Sequence, residues 1–252
     1  MKSNHKEYLD AFYYRIIDIR HTASRINSVL NADVERLLKS DVEFISGSAL
    51  VISDWTGPTD NGWEINFHTG VSMTTINQDY RAEVDKIIST KCCLSYAQAF
   101  EALERFFKDC VYISLLKDSN HKEKLGYDKD FTRNCIPGGE NLFKLLKKIY
   151  GERLKESSQN NNKNIRFKEF WSVLSEVRHA IVHSSSYIKA EKVNKTKYHL
   201  AVFNHLYNYT ICNDTNWLVV LDYKKLDRLL KYVAEFGYQI FKIHDLNEVI
   251  NS

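Results

Sequence analysis

The sequence predicts a mainly α protein, a helical bundle with β-hairpin segments added to it. Apolar residues recur at steps of three and four over long stretches, and only two prolines interrupt 252 residues. Two other stretches lose that period and turn rich in Val, Ile, Thr and Trp. A composition of 44% hydrophobic and 13% aromatic residues supplies a core and excludes wholesale disorder.

The first helix is predicted over residues 5–38, with Tyr8, Phe12, Ile16, Ile19, Ala23, Ile26 and Leu30 on its stripe and a break near Asn31. Strands near 43–54 and 63–75 then flank GPTDNG (57–62), a hairpin signature. SYAQAFEALERFFKDCVYISLL (95–116) aligns Ala99, Phe100, Leu103, Phe106, Phe107, Cys110 and Val111, which predicts a second helix. IPGGENLFKLLKKIYGERL (136–154) resumes the helical period after a Pro-Gly-Gly turn, and SSQNNNKN (157–164) is a polar loop. Further helices are expected over about 166–183 and over 222–244, where Leu226, Leu229, Leu230, Val233, Gly237 and Ile240 share a face. Between these two, residues 198–221 have aromatic and β-branched content around CNDTN and predict another hairpin. Four long helices between 95 and 244 make the bundle. The expected organisation is a region of unknown role over 1–90, holding the first helix and hairpin, followed by a helical domain over 91–252.

The net charge of +3 neither demands nor forbids a nucleic-acid partner, since binding depends on local patches. Five cysteines, an odd number with no C-x-x-C pair, argue against a disulfide framework or a structural zinc site. The N-terminal MKSNHKEYLD lacks the apolar stretch of a signal peptide, and no 18-residue apolar run occurs, so a cytoplasmic chain with no membrane partner is expected.

Chemistry concentrates in SEVRHAIVHSSS (175–186). At about 100° per residue, Phe167, Phe170, Leu174, Val177 and Ile181 share the packed sector of this helix. Glu176, His179 and His183 cluster within roughly 60° on the opposite side, and Arg178 falls at the edge of the apolar sector beside Trp171. Polar groups on such a helix cost free energy unless they are paired or used.

These residues resemble the R-x4-6-H signature of the HEPN superfamily, the higher-eukaryote and prokaryote nucleotide-binding domains. Arg178 and His183 fill the signature, His179 is the polar residue after the arginine, and Glu176 is the preceding acid. The motif helix is the third of the four in the expected bundle. The likeness covers residues 170–186, is supported by helix order over 95–244, and does not extend to residues 1–90. A second match, Arg15 to His21, has apolar Ile16 after the arginine and no acid two residues before it, and is set aside.

The resemblance implies a HEPN-like bundle of four to five helices and a metal-independent endoribonuclease whose composite site spans a homodimer. His183 would be the general acid–base, Arg178 the phosphate clamp, His179 an orienting group, and Glu176 a tuner of the histidines. The residue types suit that chemistry: imidazole titrates near operating pH, and guanidinium presents a planar fork to phosphate oxygens. Five residues put Arg178 and His183 roughly 140° apart on a straight helix, so one subunit could hardly aim both at one phosphate, whereas a two-fold dimer could. The resemblance further implies RNA or a nucleotide as partner, no cofactor, and a toxin or defence role, with an antitoxin as a further partner. Lys189, Lys192, Lys195 and Lys197 follow the motif, and Lys189 and Lys192 are the candidate substrate contacts. Lys144, Lys147, Lys148, Arg153, Lys155, Lys163, Arg166 and Lys168 could extend a phosphate-tracking surface beside the site.

Other readings stay open. A non-catalytic HEPN-like module could use the same residues to grip a nucleotide, RNA or protein, and a plain bundle could use Arg178 as an interhelix ion pair. His179-x3-His183 and Glu176-x-x-His179 match half of a carboxylate di-iron motif, but the second E-x-x-H is missing from the sequence. No G-x-S-x-G elbow accompanies Ser184–Ser186, and no phosphate loop or G-x-G-x-x-G occurs.

Overall fold

The computed structural model describes residues 5–54, 56, 65–117, 122–123, 125–127 and 131–251. It is mainly helical, with short antiparallel strands in two small sheets. Helix α1 (His5–Leu37) leads into β1 (Phe44–Asp54), β2 (Ile65–Ile76) and α2 (Asn77–Lys117). After a 3-10 turn (Arg133–Cys135) come α3 (Gly139–Gln159), α4 (Phe167–His183), β3 (Tyr187–Lys189), α5 (Ala190–Val193), α6 (Lys197–Leu206), β4 (Asn208–Ile211), β5 (Asn216–Val220) and α7 (Tyr223–Asn251). Among the described residues no helix is long and apolar enough to cross a membrane.

Packing separates two compact units, residues 1–25 with 89–252, and residues 26–88. The expected boundary at 90 falls beside the second of these junctions, while the first half of α1 groups with the bundle. In the larger unit Trp171 of α4 is the centre of an aromatic core. Its ring lies 5.0 Å from Phe100, 5.4 Å from Phe107 and 6.5 Å from Phe236, and its indole donates to the Gly139 carbonyl at 3.1 Å. Phe12 of α1 stacks on Phe106 at 5.3 Å, and its ring edge lies where a Cβ on Gly237 would come within 2.5 Å. Only glycine lets α7 pass that ring.

In the smaller unit β1 and β2 form an antiparallel ladder from Phe44↔Ile76 to Asp54↔Ile65, interrupted by two bulges. The Asn77 side chain ties the ladder's end to the carbonyls of Leu37 (3.3 Å) and Ser40 (3.2 Å). The GPTDNG turn lies outside the described residues.

Four sequence expectations are corrected. Helix α1 does not break near Asn31, whose amide donates to the Asn27 carbonyl at 2.8 Å and reinforces the turn it was expected to end. Helix α2 begins at Asn77 rather than 95, because Val84, Ile88 and Cys92 already bury one face at steps of four. Helix α3 continues to Gln159, into the stretch expected to be loop, and carries a non-helical residue at Gly151 (φ 48, ψ −125). The expected hairpin over 198–221 is half helix. The Thr196 hydroxyl caps α6 by accepting from the His199 N–H, Phe203 and Leu206 bury one face, and only 208–220 forms the hairpin. Its turn is held by Asn213 Oδ1, which accepts from the backbone of Thr215 and Asn216.

Candidate functional site

Helix α4 exists because Phe167, Phe170, Trp171, Val173, Leu174, Val177, Ala180 and Ile181 bury a wide stripe. Its position is locked from within, since the buried Tyr96 hydroxyl of α2 donates to the Leu174 carbonyl at 2.6 Å. The end of the helix is bent sharply. Ser184 and Ser186 both donate their N–H to the Ala180 carbonyl, at 2.9 and 3.0 Å, and Ser185 (φ 49) and Ser186 (φ 70) take left-handed backbone. Two consecutive non-glycine residues in that region are costly, on the order of 1–3 kcal/mol each.

The surroundings hold the turn in place. The Ser186 carbonyl accepts from the Val219 N–H at 2.9 Å, and β3 pairs with β5 through Ile188↔Trp217, with β4 on the far side of β5. The Cys93 thiol packs against the same turn, 3.9 Å from the Val219 carbonyl, and burial pushes it up to about 11 despite hydrogen bonding to Ser186 and Ser89. The residue ending α4 before this turn is His183.

His179 and His183 are both exposed, with ring centroids 4.8 Å apart and planes tilted by 47°. Neither ring has a hydrogen-bond partner among the described residues. Arg178 turns the other way, toward α2, where its Nη2 donates to Glu101 Oε1 at 3.1 Å. The arginine side chain is 28% exposed and Glu101 59% exposed. Arg178 Nε is buried without a hydrogen-bond partner. This is the helix-contact ion pair anticipated for the plain-bundle reading. An exposed pair of this kind contributes only about 0–1 kcal/mol, so a phosphate could displace the carboxylate at little cost.

Glu176 does not engage the histidines. Its carboxylate, 19% exposed, accepts from Lys195 at 3.1 Å and lies 3.9 Å from Lys192. The acid therefore ties the lysine segment after the motif back onto α4. Lys195 also reaches the Ser172 hydroxyl at 3.4 Å. Lys189, the last residue of β3, is exposed. The structure thus gathers Glu176, Lys192 and Lys195 in one cluster and His179 with His183 in another, with Arg178 directed away from both. Sequence reasoning missed Glu101, which lies 77 residues from Arg178 and carries no local signal.

Of the basic residues of 144–168, Lys147, Lys155, Arg166 and Lys168 line a cleft at the start of α4. Arg166 is the N-cap residue of α4 and His183 ends the helix, about 26 Å away at 1.5 Å per residue. These four do not extend a surface beside the motif. Among the described residues no group of three or more His, Cys, Asp or Glu could hold a metal ion. No protein-family model, curated protein or solved structure matches the chain.

Proposed function

We propose that this protein is a metal-independent endoribonuclease of HEPN type, acting in the cytoplasm as a homodimer with one composite site across the two-fold axis. The observation that carries this reading is the pair of exposed imidazoles one helical turn apart, with no hydrogen-bond partners among the described residues, on a helix whose Arg178, facing the other way, pairs with a solvent-exposed carboxylate. Imidazoles without such partners are available for proton transfer, and a guanidinium in a weak pair is available to phosphate.

The chemistry requires two proton transfers and one charge stabilisation. His183 takes the proton of a 2′-hydroxyl as that oxygen attacks the adjacent phosphorus, and the P–O5′ bond breaks as the resulting imidazolium gives the proton to the leaving oxygen. The products are a 2′,3′-cyclic phosphate and a 5′-hydroxyl. Arg178 of one protomer holds the phosphate oxygens for the histidines of the other, and His179 orients its neighbour. Lys189, exposed at the end of β3, and Lys192 lie downstream of the motif for strand contact. A toxin or defence role, with an antitoxin as controlling partner, accompanies the family reading.

The test is RNA cleavage by purified protein in EDTA. His183→Ala and Arg178→Ala are expected to lower the rate by at least about 100-fold at matched folding. Cleavage that persists in both variants sinks the assignment.

A second reading is favoured by the Arg178–Glu101 contact itself: a non-catalytic bundle in which the arginine is structural. Glu101→Gln separates the two. On the catalytic reading it frees Arg178 and leaves cleavage intact or faster. On the structural reading it lowers stability as Arg178→Ala does, and wild type cuts nothing.

A further inference from the structure

A cleft of about 640 Å³ opens between α3 and the start of α4, at the opposite end of α4 from His183. This volume lies in the range of small-ligand sites, roughly 300–1,000 Å³, and is far larger than an inorganic anion needs. The break at Gly151 forms part of its wall, in backbone geometry open only to glycine.

Three features converge on one ligand chemistry. The floor is aromatic, with Phe143 and Phe167 buried beneath it and Tyr198 at the side. Lys147, Arg166 and Lys168 line the cleft with no carboxylate partner among the described residues, and Lys155 shares Glu152 at 2.8 Å. Glu169 is the one carboxylate among the described lining residues, so the wall is net cationic. The positive end of the 17-residue α4 also opens here, with Arg166 at the N-cap and the Phe167 N–H donating to the Ser158 hydroxyl at 2.9 Å. Arg166 is held in place, its guanidinium 4.9 Å from the Tyr198 ring centroid and its N–H donating to the Tyr198 hydroxyl at 2.8 Å. Gln159 and Asn164 add neutral polar groups.

We propose that this cleft binds a nucleoside phosphate, with the base against the aromatic floor, the sugar beside Gln159 and Asn164, and the phosphate between Lys147, Arg166 and the first turn of α4. This site is separate from the chemistry proposed at His183 and does not depend on it.

The test is calorimetric titration of the full chain with ADP, adenosine, inorganic phosphate and a short single-stranded RNA. ADP is expected to bind, with adenosine and phosphate each at least about tenfold weaker because each reaches only half the site. Lys147→Gln and Arg166→Gln should each weaken ADP about tenfold, the loss of one charge-assisted contact. Lys147 is exposed, so its variant stays informative if Arg166→Gln, which disturbs the Tyr198 contact, fails to fold. Arg178→Ala and His183→Ala should leave ADP binding unchanged. The proposal is overturned if ADP does not bind, if Lys147→Gln binds as wild type does, or if Arg178→Ala abolishes binding. It is equally overturned if RNA binds through Lys147 and Arg166 while ADP does not, which would make the cleft a strand groove.

Discussion

Arg178 stands between two partners, Glu101 in the structure and a phosphate in the proposed reaction. Its mutation should therefore separate activity from stability. Arg178→Ala is expected to cost no more than about 1 kcal/mol in urea denaturation, the worth of an exposed ion pair, while cleavage falls by orders of magnitude. A stability loss above about 3 kcal/mol would instead mark a buried structural pair. A second residue-scale expectation concerns His205, which meets the Tyr232 hydroxyl at 2.9 Å and Arg228 at 2.8 Å. Burial first, then the charges of Arg228, Lys225 and Lys163, hold it below its ordinary value of 6.5. The unfolded chain then binds the proton more readily than the folded one. The stabilising contribution is accordingly complete above pH 6.5 and lost as the pH falls through the lowered folded value. Urea midpoints measured at pH 7.5 and 5.5 should drop less in His205→Gln than in wild type. Thiol chemistry gives a third check: Cys135 and Cys212 are exposed, whereas Cys92, Cys93 and Cys110 are buried and pushed up by burial, Cys92 to about 12. A native thiol titration should count two fast-reacting groups of five.

At the scale of elements, two glycines and one serine turn decide how helices pass a neighbour, break and stop. Gly237→Ala would drive a methyl into the Phe12 ring and should cost about 1–3 kcal/mol, with partial recovery when Phe12→Leu is added. Gly151→Ala meets no neighbouring atom, so its cost is conformational, again about 1–3 kcal/mol, and Phe12→Leu should not relieve it. At the end of α4, Ser185 is exposed and left-handed, and Ser185→Gly should gain about 0.5–1 kcal/mol by removing strain. If that strain helps to aim His183, the stabilised variant cuts RNA more slowly, which thermal melts and rate measurements on one preparation would reveal.

For the molecule as a whole the decisive quantity is the proposed homodimer. Arg178 points to α2 while the two histidines share the exposed side of α4, so the proposed site needs residues from two chains. Mixing inactive Arg178→Ala with inactive His183→Ala should restore about a quarter of wild-type cleavage. Random exchange makes half the dimers mixed, and each of those has one intact site of two. No recovery after verified subunit exchange would rule out the composite arrangement.

The mainly helical class, the hairpin at 44–76, the bounds of α4 and the exposure of His179 and His183 were all legible in residue order, because each follows from periodicity within one element. Burial at i, i+3 and i+4 forms a helix whatever lies across from it. The helical half of 198–221 was not legible, since its aromatic content suits strand and helix alike and only the buried faces of Phe203 and Leu206 decide between them. Nor was the start of α2 at Asn77, where sparse apolar positions gain meaning only once Val84 and Ile88 are seen to be buried. At the site, residue order determined which groups share a helix face, but not where they reach. Only tertiary structure gave Arg178 to Glu101, gave Glu176 to the lysines, and set Lys147, Lys155, Arg166 and Lys168 around a cleft at the far end of α4. Those pairings join residues up to 77 positions apart, and a charged side chain is partnered by whatever the fold brings within a few ångströms, which no local period encodes.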